Sequence, residues 1–204
     1  MMTMTTSEND QKQAIVKLRE MTGAGMMDCR NALAESKWDL KAAQDIIRRK
    51  GLDIAKKKAG REVKEGQVIS YIHSGGKLGV LVEINCETDF VGRNDQFQAF
   101  ARDIAMQIAA AHPLYVSEND IPPADLEKEK AAWADEVKGK PEAVKEKIVQ
   151  GKLAKRYEDI CLLKQKYIKD DSRTIQDYLT ETIAKIGENI VIRRFVRFEV
   201  GGQQ

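Results

Sequence analysis

The sequence predicts an α+β fold, in which short helices precede a small antiparallel sheet that is covered by helices. Three observations predict it. Apolar residues recur at helical spacing through the first fifty residues. Two valine- and isoleucine-rich runs then flank a Gly-Gly turn, which is typical of a β-hairpin. Helical spacing returns over most of the remaining chain, which places the helices and the strands in separate stretches.

Residues 9–55 are predicted to form a three-helix bundle, preceded by a disordered tail over residues 1–8. Gly23–Gly25 separates the first two helices. The third begins at Asp39, a good N-cap, and is expected to end at Gly51, because glycine suits the position after a helix. The apolar side chains expected on the inner faces include Ile15, Leu18, Met26, Cys29, Leu33, Leu40, Ala43 and Ile46.

Residues 56–123 are predicted to hold the core sheet and one helix. Strands are expected over Gln67–His73 and Leu78–Cys86, and the helix Asn94–Ala111 carries an apolar stripe that would cover one face. A lone hairpin is only marginally stable, so a third strand is expected from Asn189–Val200.

Residues 124–164 are predicted to form an antiparallel helical hairpin. Trp133 and Val137 follow helical spacing, Gly139–Pro141 interrupts it, and the pattern resumes beyond the proline. Residues 165–204 then supply a final helix, Thr174–Ile186, and the strand that returns to the core.

Composition excludes several classes of protein. The 204 residues include 34 basic and 32 acidic ones, so a net charge of +2 gives no strong nucleic-acid footprint. No run approaches the length of about 20 apolar residues that a membrane span needs. Three dispersed cysteines indicate neither a disulfide framework nor a zinc site, and the polar N-terminus resembles no targeting peptide. A cytoplasmic protein without cofactor, metal or membrane contact is expected.

Three segments carry a family resemblance. Residues 18–29 read Leu-Arg-Glu-Met-Thr-Gly-Ala-Gly-Met-Met-Asp-Cys, and residues 82–91 read Val-Glu-Ile-Asn-Cys-Glu-Thr-Asp-Phe-Val. Near the other end, Ala184–Ile190 is followed by Arg193–Phe195. In their order and spacing these blocks resemble the signatures of the elongation factor Ts family, and they span almost the whole chain.

The resemblance implies a ubiquitin-associated-like helical bundle, a core on an antiparallel sheet and an inserted helical hairpin. It implies a guanine nucleotide exchange factor that is not an enzyme. Such a factor binds elongation factor Tu and promotes GDP release, so that GTP can rebind during translation elongation. Longer members have two related core subdomains, whereas only one hairpin-plus-helix unit is evident here. A homodimer is therefore a possible partner arrangement.

The resemblance also assigns displacement of Mg²⁺ from the partner GTPase to Thr88, Asp89, Phe90 and Val91. These residues follow a predicted strand and precede a helix, so they are expected at a corner from which Phe90 can protrude. The alternative is that Phe90 and Val91 pack into their own core and Asp89 caps the following helix.

Partner contacts in the N-terminal bundle are assigned to Leu18, Arg19, Met26 and Met27. The two adjacent methionines cannot both face inward on one helix, and methionine suits an adaptable contact surface. For Leu18 a place in the bundle core is the alternative.

Two other functions fit parts of the sequence. Lys56–Lys58 forms a basic run, and Arg193–Phe198 interleaves basic and aromatic residues, as in proteins that bind RNA. The lysines equally fit a solvated helix face, and the second run equally fits a half-buried strand. Cys86 and His73, with acidic neighbours, could form a nucleophilic site, but they are expected at opposite ends of the hairpin.

Overall fold

A computed structural model describes residues 8–133 and 138–202, and it confirms the α+β class. Two compact units are present: one holds the chain up to Glu62 with Thr180–Asn189, and the other holds Val63–Leu179 and the chain from Ile190 on. The α-helices are α1 (Glu8–Thr22), α2 (Met26–Glu35), α3 (Leu40–Lys58), α4 (Asp89–Gly92), α5 (Asp95–Ala111), α6 (Pro123–Ala132), α7 (Glu142–Ile160) and α8 (Ile175–Ile186). The strands are β1 (Glu65–Ile72), β2 (Leu78–Cys86), β3 (Lys166–Tyr167), β4 (Asp170–Thr174) and β5 (Ile190–Glu199).

The first three helices form the predicted bundle. The Asp39 carboxylate accepts the amide N–H of Ala42 at 2.8 Å, which confirms the predicted N-cap of α3. Of the expected tail, residues 1–7 lie outside the described residues, and α1 begins at Glu8. The core of the bundle consists of Leu18, Cys29, Ala32, Leu33, Ala43 and Ile46.

The prediction that the third helix ends at Gly51 is wrong. Helix α3 continues through Gly51 to Lys58, and Gly51 is absent from the residues with positive φ. A Cβ built at Gly51 would lie 3.5 Å from Cβ of Ala184, so the glycine marks a close approach between helices. Lysines in the last turn, Lys56–Lys58, suit the negative end of the helix dipole.

The central sheet is antiparallel with strand order β1-β2-β5, which confirms the predicted hairpin and third strand. Helix α5 packs its apolar stripe against β2 and β1 on one face of the sheet, and the β2 and β5 side chains that point to this face are buried. The sheet residues buried on this face include Val80, Val82, Ile84, Cys86, Ile190 and Ile192.

The opposite face of the sheet exposes apolar side chains beside the ion pair between Glu83 and Arg194. The register aligns Ile72, Gly79 and Phe198 in one row across the three strands. We call this surface the open face, and its exposed apolar side chains are Val68, Ile72, Leu81, Val196 and Phe198.

Helices α6 and α7 lie beside each other, joined by an ion pair between Arg156 and Glu129 at 2.7 Å. Gly139 has a φ of +79° and Pro141 directly precedes α7, consistent with the predicted interruption. Val137, which was assigned to the first helix of this pair, lies outside the described residues. Among the helices of the described ranges, none combines the length and the apolar character that a membrane span requires.

Strands β3 and β4 form a small hairpin that the sequence did not predict. The Tyr167 hydroxyl and the Lys169 ammonium both contact Asp103 of α5, each at 2.6 Å. The Arg173 guanidinium lies over the Tyr167 and Tyr178 rings. Side-chain contacts with residues distant in the sequence therefore hold this hairpin in place.

Candidate functional site

The strand-to-helix corner predicted after β2 is present as the single turn α4. The carbonyl of Thr88 accepts two hydrogen bonds, from the Gly92 amide at 3.3 Å and from the Cys86 thiol at 3.1 Å. Asn94 then caps α5 by accepting the Gln96 amide at 2.7 Å. The corner is thus fixed at both ends, to the last residue of β2 and to the first turn of α5.

Phe90 projects from this corner into solvent. Its side chain is 81% exposed, the highest value among the large apolar residues that the structure describes. The alternative in which Phe90 packs into its own core is therefore wrong. Val91 is half-buried and anchors the turn beside it.

Asp89 forms an ion pair with Arg93 one turn later, and both side chains are partly exposed. It does not cap α5, since that role belongs to Asn94. Thr88 occupies the N-cap position of α4 and is exposed. Three of the four residues assigned to the corner therefore lie at the surface around one aromatic ring.

An exposed aromatic ring on an ordered turn is a costly arrangement for an isolated protein. Burying a phenylalanine side chain is worth about 1.5–3 kcal/mol, and Phe90 forgoes most of that gain. Aromatic residues, phenylalanine included, are enriched at protein interfaces relative to the rest of the surface. The corner presents Phe90 to solvent on an ordered turn.

The residues assigned to contacts in the bundle separate into two groups. Arg19, Met26 and Met27 are exposed, Met27 to 63%, and they lie around the turn between α1 and α2. Leu18 is fully buried in the bundle core, where its carbonyl accepts the Thr22 hydroxyl at 2.7 Å. It has no surface to offer a partner.

The glycine turn in this segment has a steric reason. Gly23 has a φ of +65°, and a Cβ there would lie 2.5 Å from Cε of Lys185. Both the left-handed backbone and the neighbouring side chain favour glycine.

The cysteines lack the surroundings of a nucleophile. All three are buried. Burial raises the pKa of the Cys29 thiol above its ordinary value and that of Cys161 to about 11. Cys86 lies opposite Glu65 at one end of the hairpin, whereas His73 bonds the Tyr71 hydroxyl at the other end.

The basic and aromatic run near the C-terminus lies in strand β5. Arg194 pairs with Glu83 at 2.7 Å, and Arg197 pairs with Glu199 at 2.6 Å. The Arg194 pair holds the pKa of the Glu83 carboxyl below its usual range. These arginines therefore already have carboxylate partners within the sheet.

A family model described as "Elongation factor TS" matches residues 40–202 of this chain. The chain belongs to the elongation factor Ts family. As a member of this family it is a nucleotide exchange factor of translation elongation, which acts on elongation factor Tu by binding and is not an enzyme.

Proteins named elongation factor Ts from three bacteria agree with this assignment. That of Thermoanaerobacter sp. (strain X514) is 57% identical over 191 residues, covering 93% of this chain and 94% of the relative. That of Caldanaerobacter subterraneus subsp. tengcongensis is 56% identical over 191 residues, covering 93% and 96%. That of Geobacter sulfurreducens is 55% identical over 187 residues, covering 91% and 87%. The aligned region extends beyond the family model toward the N-terminal bundle.

Proposed function

We propose that this elongation factor Ts protein releases GDP by inserting the Thr88–Val91 corner into elongation factor Tu and disturbing the Mg²⁺ site of that GTPase. GTP can then rebind. The observation that carries the proposal is the exposure of Phe90 on a turn that is hydrogen-bonded to the core.

The physical basis is the way such a GTPase holds its nucleotide. Backbone N–H groups at a helix N-terminus, a lysine and a Mg²⁺ ion bind the phosphates. Mg²⁺ requires near-ideal octahedral geometry, so small displacements of neighbouring loops weaken its binding. A factor that binds only the displaced arrangement weakens the binding of the nucleotide. By linkage, the nucleotide weakens the binding of the factor to the same extent.

Each corner residue has a distinct part in this proposal. The Phe90 ring enters between elements of the partner, and its burial there recovers the free energy that exposure forgoes. The Asp89 carboxylate, paired with Arg93 in the free protein, hydrogen-bonds the partner backbone and fixes the angle of entry. Thr88 lies exposed beside the ring, and Val91 holds the turn against the core.

The bundle supplies a second contact in the same complex. Arg19, Met26 and Met27 present a positive charge and two flexible apolar side chains on one exposed turn. We assign them to binding of the GTPase rather than to release of its metal. Leu18 acts from within the core by supporting this turn.

The deciding experiment follows release of fluorescent GDP from elongation factor Tu with and without this protein. Substoichiometric amounts should accelerate release, since an exchange factor turns over. Phe90→Ala should lower the maximal release rate about tenfold or more while leaving the melting temperature unchanged, because the ring contributes little to the folded chain.

Leu114→Ala is the matched control, because Leu114 is also an apolar side chain more than half exposed. It should leave release unaffected. If the Phe90→Ala variant accelerated GDP release normally, the proposal would be contradicted. It would also be contradicted if the variant's melting temperature fell enough to account for the lost activity.

The open face favours a homodimer as a second element of the proposal. Its exposed valine, isoleucine and phenylalanine side chains match the inner surface of a two-sheet sandwich, and a second copy would supply the other sheet. Phe198→Glu should convert a dimer to a monomer in sedimentation experiments, whereas Val144→Glu on α7 should not. A wild-type chain that sediments as a monomer at micromolar concentration would exclude this element.

We place this activity in the cytoplasm, where translation elongation takes place, and without direct contact to nucleic acid or membrane. The near balance of 34 basic and 32 acidic residues supports the first exclusion. Binding to RNA with a steep negative salt dependence would contradict it.

A further inference from the structure

The corner that carries Phe90 lies against the first residues of β1, at a place where the backbone has no side chain. Gly66 pairs with Asn85 of β2 and has a φ of +140°. A Cβ built there would lie 2.2 Å from the carbonyl oxygen of Ile84, a distance that no side chain tolerates. Glycine is therefore required at position 66 by the approach of β2.

Gly92 lies directly above this point. It is buried at the end of α4, and a Cβ built on it would lie 3.6 Å from the Gly66 carbonyl oxygen and 3.8 Å from the Cys86 sulfur. These are ordinary contact distances, so a methyl group at this position would already be in van der Waals contact with the sheet. A larger, β-branched side chain would have to enter this packed boundary between the corner and the sheet.

Gly92 and the half-buried Val91 are the residues of α4 that pack toward the interior. The helix has four residues, too few for a stable helix on its own. The Gly92 amide also donates to the Thr88 carbonyl, so Gly92 closes the turn in which Phe90 lies. Any displacement of Gly92 from the sheet therefore moves the phenylalanine with it.

We propose that Gly92, packed over Gly66, is a positioning residue that sets the height and direction at which Phe90 projects. The inference rests on the proposed function of the Thr88–Val91 corner. Gly92 touches neither the partner nor its nucleotide; the absence of any group larger than a methyl at this position lets the turn lie close to the sheet. Because the turn is already ordered in the free protein, binding to the partner does not cost the conformational entropy of ordering it.

A double-mutant cycle tests this inference. Gly92→Val, Phe90→Ala and the double variant are compared for the maximal rate of GDP release from elongation factor Tu and for the concentration that gives half of that rate. Gly92→Ala is included because its methyl group fits the available space. Gly151→Val on α7 is the matched control, since a Cβ there meets nothing within 4 Å.

Gly92→Val should lower the maximal rate about tenfold or more, because misplacing a functional group by about 1 Å has effects of this size. Gly92→Ala and Gly151→Val should remain within about twofold of the wild type. In the Phe90→Ala background, Gly92→Val should change the rate less than about twofold, since no ring is left to position. Equal losses in both backgrounds, or full activity of Gly92→Val, would overturn the inference.

The cycle also separates this inference from the proposal on which it rests. Full activity of Phe90→Ala would refute the function of the corner itself. Low activity of Phe90→Ala with additive losses would refute only the role of Gly92. If Gly92→Val fails to fold by circular dichroism, Gly92→Ser, which adds a single γ-oxygen, takes its place in the same cycle with the same expected non-additivity.

Discussion

The hydroxyl of Tyr167 donates a hydrogen bond to the carboxylate of Asp103 at 2.6 Å, and this bond joins the β3–β4 hairpin to helix α5. Tyr178 donates to the same carboxylate at 3.0 Å, and its ring stacks on that of Tyr167. The Lys169 ammonium pairs with the other carboxylate oxygen. One partly buried aspartate thus organises a hairpin of nine residues.

Tyr167→Phe should destabilise the protein by about 1.5–3 kcal/mol, the usual range for a hydrogen bond to a charged group. The ring and its stacking on Tyr178 remain, so the change isolates the hydroxyl. Urea denaturation measures the effect. Tyr71→Phe, which removes a hydroxyl exposed at the end of β1, should cost less than about 0.5 kcal/mol. Equal losses in the two variants would contradict the role assigned to Asp103.

Alkaline pH should weaken the fold through the same pair of tyrosines. Burial, followed by the bond to Asp103, raises the pKa of Tyr167 above its ordinary value. Burial and the charge of Asp103 do the same for the pKa of Tyr178. Well below pH 10 both rings are neutral in the folded and unfolded chains, so their stabilising contribution is fully present.

Above pH 10 the unfolded chain ionises first, and the free energy of unfolding should fall as the pH rises. Urea denaturation at several pH values between about 9 and 11 measures how steeply the free energy of unfolding falls with pH. Tyr167→Phe should make the decline shallower, because it removes one of the groups whose pKa is raised in the folded chain. An unchanged slope would show that other groups cause the alkaline loss.

Gly51→Ala should stabilise the protein by about 0.5–1 kcal/mol. Gly51 lies inside α3, where alanine is the better helix former, and the new methyl group would meet Cβ of Ala184 at 3.5 Å. Gly51→Leu should be destabilising, since its side chain would overlap the neighbouring helix. Thermal melts of both variants test the assignment. A stability loss for the alanine variant is what a helix end at Gly51 would have produced.

Leu18 and Met27 should respond in opposite ways to truncation. Leu18→Ala removes a fully buried side chain and should cost about 2–5 kcal/mol of stability. Met27→Ala should leave the melting temperature unchanged and weaken binding to elongation factor Tu, measured by calorimetry. Wild-type affinity of a folded Met27→Ala variant would remove this residue from the proposed contact surface.

Local patterns in the sequence predicted most of the fold. The strand over Leu78–Cys86 and the N-cap at Asp39 depend on neighbours within a few residues, and both predictions are confirmed. The third strand was predicted from a general requirement, because a hairpin without further partners is marginal. The predicted helix end at Gly51 is wrong because glycine suits both a helix end and a close contact between helices. Only the position of Ala184 distinguishes the two.

For the candidate site, too, local sequence and tertiary packing determined different features. By itself the sequence determined the family resemblance, the four residues of the corner and their place between a strand and a helix, since these are properties of consecutive residues. Only the tertiary structure decided that Phe90 faces solvent while Leu18 faces the core, because the direction of a side chain depends on what packs against its backbone. It alone brought Gly92 over Gly66 and Tyr167 to Asp103, pairs that lie 26 and 64 residues apart in the chain and meet only after folding.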